Sequence, residues 1–174
     1  MILVYEGNLK PEQKAELEQI LAPFELRKLG DVHLEQTMQE LSGSDFKDVE
    51  NPECGDRPPF LYFVNEDLKD ISRIQSQLEE KHVPLFGMAV ETENNKSFTL
   101  KAQMEEVAQE AEYFAKINEL ADLLSQADPE KMRTDQDYGS CHLLAARLLH
   151  EEEISENMLD TALAVIRSFH PEQS

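Results

Sequence analysis

Apolar and polar positions alternate in blocks along this chain, and the blocks change character near residue 98. Ile2 to Tyr5 is a short, continuously apolar run closed by Gly7-Asn8, the signature of a buried strand. Pro11 suits a first helical turn, and Leu17, Ile20 and Leu21 form the inner stripe of the helix that Pro23 ends. In the next run Phe24, Leu26 and Leu29 are interrupted by Glu25, Arg27 and Lys28, as in an edge strand. Asp31 is placed to cap a second helix, with Leu34, Met38 and Leu41 inward and Gly43 at its close. Ser44 to Arg57 has no period and holds Asn51-Pro52 and Cys54-Gly55, which reads as a long, mobile loop. Phe60 to Val64 is the strongest strand. Asp67 and Asp70 then open a third helix with Ile71, Ile74 and Leu78 inward. Leu85, Phe86, Met88, Ala89 and Val90 make a fourth strand, loosened by Gly87.

Strand and helix alternate four times, which predicts an α/β fold: a four-stranded, mainly parallel sheet with flanking helices, followed by a C-terminal helical segment. The first and third strands belong in its centre and the polar-interrupted second strand outside. No internal repeat is visible. From Phe98 to about Gln126 the period becomes helical, through Leu100, Met104, Val107, Ala111 and Phe114, then Ile117, Ala121 and Leu124, until Asp128-Pro129. Two shorter amphipathic helices follow. Tyr138, Cys141, Leu144, Ala145 and Leu148 line the first; Met158, Leu159, Ala162, Val165, Ile166 and Phe169 line the second, with Ser155 as its cap. The expected division is a small α/β domain at 1–97, a connecting helix at 98–126 and a helical hairpin at 127–174. So small a helical unit gains stability by packing against another surface. A homodimer through Leu144, Leu148, Val165 and Phe169 is the expected assembly.

Charge narrows the partners. The 174 residues carry a net charge of −20, with 20 acids against 10 bases in residues 1–97 and 16 against 6 in residues 98–174. The acidity is thus spread over both halves. Such a field repels phosphate backbones and anionic lipid surfaces, so neither nucleic acid nor membrane is expected, whereas a basic protein is an admissible partner. With 40% hydrophobic and 30% charged residues the chain has globular composition. Cys54 and Cys141 are too few and too far apart for a disulfide framework. The apolar start reaches Glu6 too soon for a secretory leader, and no run approaches membrane-spanning length. A cytoplasmic protein is expected.

Candidate chemistry is sparse. In a parallel sheet Asn8, Asp67, Thr92 and Asn95 all follow strands and would converge on one edge, where amides and carboxylates could take a small polar molecule or a hard cation. The same residue types end strands and cap helices without any ligand. Cys141 and His142 are helix neighbours whose side chains diverge, and the five histidines show no zinc-like spacing, so they read as structural. No glycine-rich phosphate loop or nucleophile elbow is present, and no metal or cofactor is expected.

Residues 92–100, Thr-Glu-Asn-Asn-Lys-Ser-Phe-Thr-Leu, resemble the end of a short α/β domain in a family of small bacterial proteins catalogued as a domain of unknown function. The shared positions are Thr92, Asn95, Phe98, Thr99 and Leu100. Phe98 stands where the family has Trp, and Glu93 where it has Pro. The resemblance implies an α/β fold over about the first 115 residues, and the family carries no established activity to transfer. The leading expectation is therefore a non-catalytic interaction or assembly module. The alternatives are a small-molecule- or cation-binding regulator or enzyme at the strand ends, and an acidic decoy for basic proteins.

Overall fold

The computed structural model describes residues 1–47, 49, 51–85, 87–151 and 153–170. The chain divides into two compact units, Met1–Ala108 and Gln109–Ser174. The first unit holds β1 (Ile2–Tyr5), α1 (Pro11–Leu21), β2 (Leu26–Leu29), a 3-10 turn (Asp31–His33) and α2 (Met38–Ser42). It continues with β3 (Phe60–Phe63), α3 (Leu68–Glu80), β4 (Gly87–Val90), a second 3-10 turn (Asn95–Ser97) and the first turns of α4 (Leu100–Ser125). The place expected for Phe86 in β4 lies outside the described residues.

The strand order is β2-β1-β3-β4. β1 pairs with β2, and β3 with β4, in parallel, so the sheet is mainly parallel and its centre is β1 and β3, as the hydrophobic pattern predicts. Both central strands are fully apolar and buried throughout. Between them, however, the pairing is antiparallel, with Ile2 opposite Phe63 and Tyr5 opposite Phe60. This corrects the expectation of one shared strand-end edge. The carboxyl ends of β1 and β2 lie at one rim and those of β3 and β4 at the other. The long connection from β2 to β3 allows this reversal, because it is not a helical crossover between neighbouring strands.

Alternation through the pleat sends the strands' side chains to two cores. On one face Ile2, Val4, Leu61 and Phe63 pack with Leu17, Ile20 and Leu21 of α1 and Ile74 and Leu78 of α3. On the other, Leu3, Tyr5, Phe60 and Tyr62 pack with Met38 and Leu41 of α2 and Leu100 and Met104 of α4. Each such buried Leu or Ile contributes about 1.5–3 kcal/mol relative to exposure, and the loss of any one should be felt.

An internal two-fold repeat, absent from the sequence reading, organises this unit. Each half runs strand, helix, parallel strand, 3-10 turn, helix, and the halves meet across the antiparallel β1–β3 pair. Three hydrogen bonds of the two turns correspond. Gly30 N–H donates to His33 Nδ1 (3.0 Å), and Thr92 N–H to Asn95 Oδ1 (2.8 Å). Gln36 N–H donates to His33 O, and Phe98 N–H to Asn95 O, both at 3.0 Å. Thr37 Oγ1 accepts from Glu40 N–H, and Thr99 Oγ1 from Ala102 N–H, both at 3.2 Å. Across the join, Met38 N–H donates to Phe98 O (2.8 Å) and Leu100 N–H to Gln36 O (2.9 Å) around a Thr37–Thr99 bridge. Such reciprocal exchange is what a two-fold relation demands. Thus residues 92, 95, 98, 99 and 100 have counterparts at 30, 33, 36, 37 and 38, of which only the threonine is identical.

Two local expectations change with it. Asp31 does not cap a helix; Gly30 precedes the turn and Thr37 caps α2, because the Asp31 carboxylate is held by the Tyr5 hydroxyl at 2.5 Å. The stretch 51–57 of the long loop is tied down: Asp31 N–H donates to Glu53 O and Asn8 N–H to Arg57 O, both at 2.8 Å. Asp48 and Glu50 of that loop lie outside the described residues.

The second unit holds the remainder of α4, α5 (Lys131–Thr134), α6 (Gln136–Leu148) and α7 (Glu156–Ser168). Asp135 and Ser155 cap α6 and α7 through their side chains. Its core is Leu120, Leu123, Ala145, Leu159, Leu163 and Ile166. The inner rows differ from those expected. Tyr138, His142 and Ala145 face inward on α6, while Leu144 is 64% exposed. Tyr113, half-buried, and not the exposed Phe114, turns toward the core on α4. The polar His142 on α6 and the half-buried Tyr113 beside Phe114 on α4 hide these rows from a purely apolar count. Among the described residues no helix is long and apolar enough to cross a membrane.

Candidate functional site

Asn95 is the hub of the β4-end turn. Its Oδ1 accepts from Thr92 N–H and from the Tyr62 hydroxyl, both at 2.8 Å, and its Nδ2 donates to Val90 O at 2.9 Å. Thr92 Oγ1 returns a bond by accepting from Asn95 N–H at 3.1 Å. Both oxygen lone pairs and one amide hydrogen of Asn95 are thus engaged within the fold. Tyr62 is fully buried, and burial first, then the Glu91 charge, pushes its hydroxyl well above the usual tyrosine range, so it stays a donor. The arrangement locks β3, β4 and the turn together.

Asp67 follows β3 at the same rim as Thr92 and Asn95, and its Oδ1 accepts from Lys69 N–H at 2.9 Å as the N-cap of α3. Asn8 sits at the opposite rim, where Nδ2 donates to Asp56 Oδ1 at 3.3 Å. Of the four residues expected to gather, Thr92 and Asn95 therefore meet, Asp67 shares their edge, and Asn8 is separated from all three by the antiparallel β1–β3 pairing.

At Asn8's rim the first repeat builds the counterpart turn. Tyr5 is fully buried, and desolvation together with the Asp31 bond raises its hydroxyl above the ordinary range. The same bond, joined by the Gly55 N–H, holds Asp31 below the usual carboxylate range, with Arg57 3.8 Å away. Burial pushes the Cys54 thiol up, so it is not an activated nucleophile. His33 is 2% exposed, and burial lowers its pKa. None of Tyr5, Tyr62 or His33 is marked by the sequence, because of the five corresponding positions in 30–38 and 92–100 only Thr37 and Thr99 are identical.

The second unit offers a different surface. Leu143, Leu144, Met158 and Val165 are 60%, 64%, 54% and 39% exposed. Of the four residues expected to make contacts, Leu144 and Val165 face solvent and Leu148 is half-buried. Phe169 is turned to its own chain, with ring centroids 5.3 Å from Tyr138 and 5.7 Å from His142. His142 stacks on Tyr138 at 3.9 Å and its Nδ1–H donates to the Tyr138 carbonyl at 2.8 Å. Among the described residues no group of three or more His, Cys, Asp or Glu could hold a metal ion.

No family model, no curated protein and no solved structure matches the chain.

Proposed function

We propose that this chain is a non-catalytic interaction module of the cytoplasm, docking a polypeptide partner on α6 and α7. The carrying observation is the set of exposed apolar side chains Leu143, Leu144, Met158 and Val165 on two helices of a small unit whose apolar core, among the described residues, centres on Leu120, Leu123, Ala145, Leu159, Leu163 and Ile166. Covering such side chains stabilises a small unit that buries little by itself. A regulator or enzyme at the strand ends draws less support, since a ligand there would have to displace the bonds that Asn95 already makes to Thr92, Tyr62 and Val90. The partner is either a second copy, as the sequence leads one to expect, or another protein.

The test is a photo-cross-linking residue introduced at Leu144 in the full chain, with the same residue at exposed Glu12 as control. In an extract of its native cells, a discrete adduct from position 144 and none from position 12 is expected, and adduct mass separates a second copy from another protein. Equal labelling from both positions would remove the reading.

A further inference from the structure

We infer that the occupant of α6 and α7 is a basic amphipathic helix of another protein; this rests on the docking reading and specifies the partner. Two apolar rows run one residue ahead of the buried rows of their helices. Cys141, Leu144 and Leu148 recur on α6, and Met158, Ala162 and Val165 on α7, at steps of three and four, with Leu144, Met158 and Val165 exposed and Cys141 and Ala162 packed partly against the unit's own core. The contact of Tyr138, early in α6, with Phe169, just after α7, sets the two helices antiparallel. The rows therefore extend along α6, whose 13 residues span about 20 Å at 1.5 Å per residue.

Acids stand at both ends of that span. Glu151 and Glu153 are exposed beside the Leu148 and Met158 end, and Asp135 and Asp137 are exposed at the start of α6. Residues 109–174 carry 14 acids against 5 bases. Two of those bases are already engaged: Lys116 with Asp160, Glu112 and Glu156, and Arg167 in a two-pronged pair with Glu119. On α6 Arg147 is the single formal cation.

A second copy meets this surface badly. A two-fold contact sets the same acidic ends against one another, and like charges facing across an interface disfavour it. A helix with Leu-type residues along one face and Lys or Arg flanking them supplies both complements, apolar row to apolar row and cation to acid. Its length matches when it has about 14 residues.

The decisive experiment titrates the full chain, by calorimetry, with a Leu/Lys amphipathic helical peptide of that length and with its Leu/Glu counterpart. The Leu/Lys peptide is expected to bind, more weakly as salt rises, and the Leu/Glu peptide not to bind. Leu144→Glu should weaken binding about tenfold, the effect of burying part of one leucine, although it adds an acid. Simple charge attraction predicts the reverse. Met158→Glu should act alike, and Val32→Glu, at an equally exposed apolar position of the other unit (68%), should change nothing. Unaltered melting temperatures would show that the variants fold. Leu/Lys binding that is unchanged or tightened by Leu144→Glu would overturn the proposal, as would failure of the Leu/Lys peptide to bind. Self-association abolished by Leu144→Glu would overturn the partner assignment and leave the docking reading standing. Absence of any association dependent on Leu144 would sink both.

Discussion

Replacing His33 by Asn tests the internal repeat, because Asn95 already performs His33's task in the other half. His33 Nδ1 accepts the Gly30 N–H at 3.0 Å, so the ring must be neutral with its proton on Nε2. Protonating Nδ1 would set a donor against a donor and place a charge at a site 2% exposed. Burial therefore holds the folded pKa below the ordinary value of about 6.5. The folded state binds fewer protons here than the unfolded state. This contribution to stability is complete above about pH 6.5 and is lost as pH falls through the folded pKa, at up to about 1.4 kcal/mol per pH unit. In the His33→Asn variant an amide oxygen accepts the same N–H at any pH. At pH 7 the variant should lose only about 1 kcal/mol, for ring contacts such as that with Phe46 at 5.4 Å. His33→Ala should lose about 1–3 kcal/mol more, since it orphans the Gly30 N–H. Urea unfolding of all three proteins from pH 7 down to pH 5 measures this, and subtracting variant from parent cancels the other titrating groups. If the Asn variant falls as far as the Ala variant at pH 7, or follows the parent's pH profile, the equivalence of His33 and Asn95 is wrong.

At the second turn, Asn95→Ala should cost about 2–4 kcal/mol in urea unfolding, because it strips partners from Thr92 N–H, the buried Tyr62 hydroxyl and Val90 O together. Tyr62→Phe should cost only about 1 kcal/mol, since Asn95 keeps the Thr92 bond; the reverse ranking would mean that Asn95 is not the hub. Neither variant should alter peptide binding or cross-linking at α6, which the docking reading places in the other unit.

The strands were legible because each central one is a solid apolar run, and their ranking followed because Arg27 and Lys28 mark β2 as an edge. The sense of β3 against β1 was not legible. Neighbouring strands joined by a helix are constrained to be parallel, whereas the connection through residues 44–57 imposes no direction. That one undetermined choice moved Asn8 away from Asp67, Thr92 and Asn95. In the helical unit, Leu144 and His142 exchanged their expected places because a one-residue shift of the inner row changes few apolar matches on α6. The motif at residues 92–100 was legible as a motif, but its partner at 30–38 was not, because structure there conserves an acceptor atom and not a residue type.

Counting lone pairs explains where the two halves diverge. Asn95 Oδ1 has two, and it takes both Thr92 N–H and the Tyr62 hydroxyl. A neutral imidazole has one acceptor site, and Gly30 N–H fills that of His33. Tyr5, on the same face of the sheet as Tyr62 and equally buried, must find another acceptor, and Asp31 provides it at 2.5 Å. The substitution of imidazole for amide and the presence of the carboxylate are thus one change, not two. Asp31→Ala in the parent strands a buried hydroxyl, a loss of about 1–3 kcal/mol at Tyr5. In the His33→Asn background the new amide oxygen has a free lone pair facing the same strand end, so Asp31→Ala should cost less there. A double-mutant cycle by urea unfolding reads the coupling directly. Strict additivity would mean that Tyr5 turned to Asp31 for some reason other than the imidazole's missing acceptor.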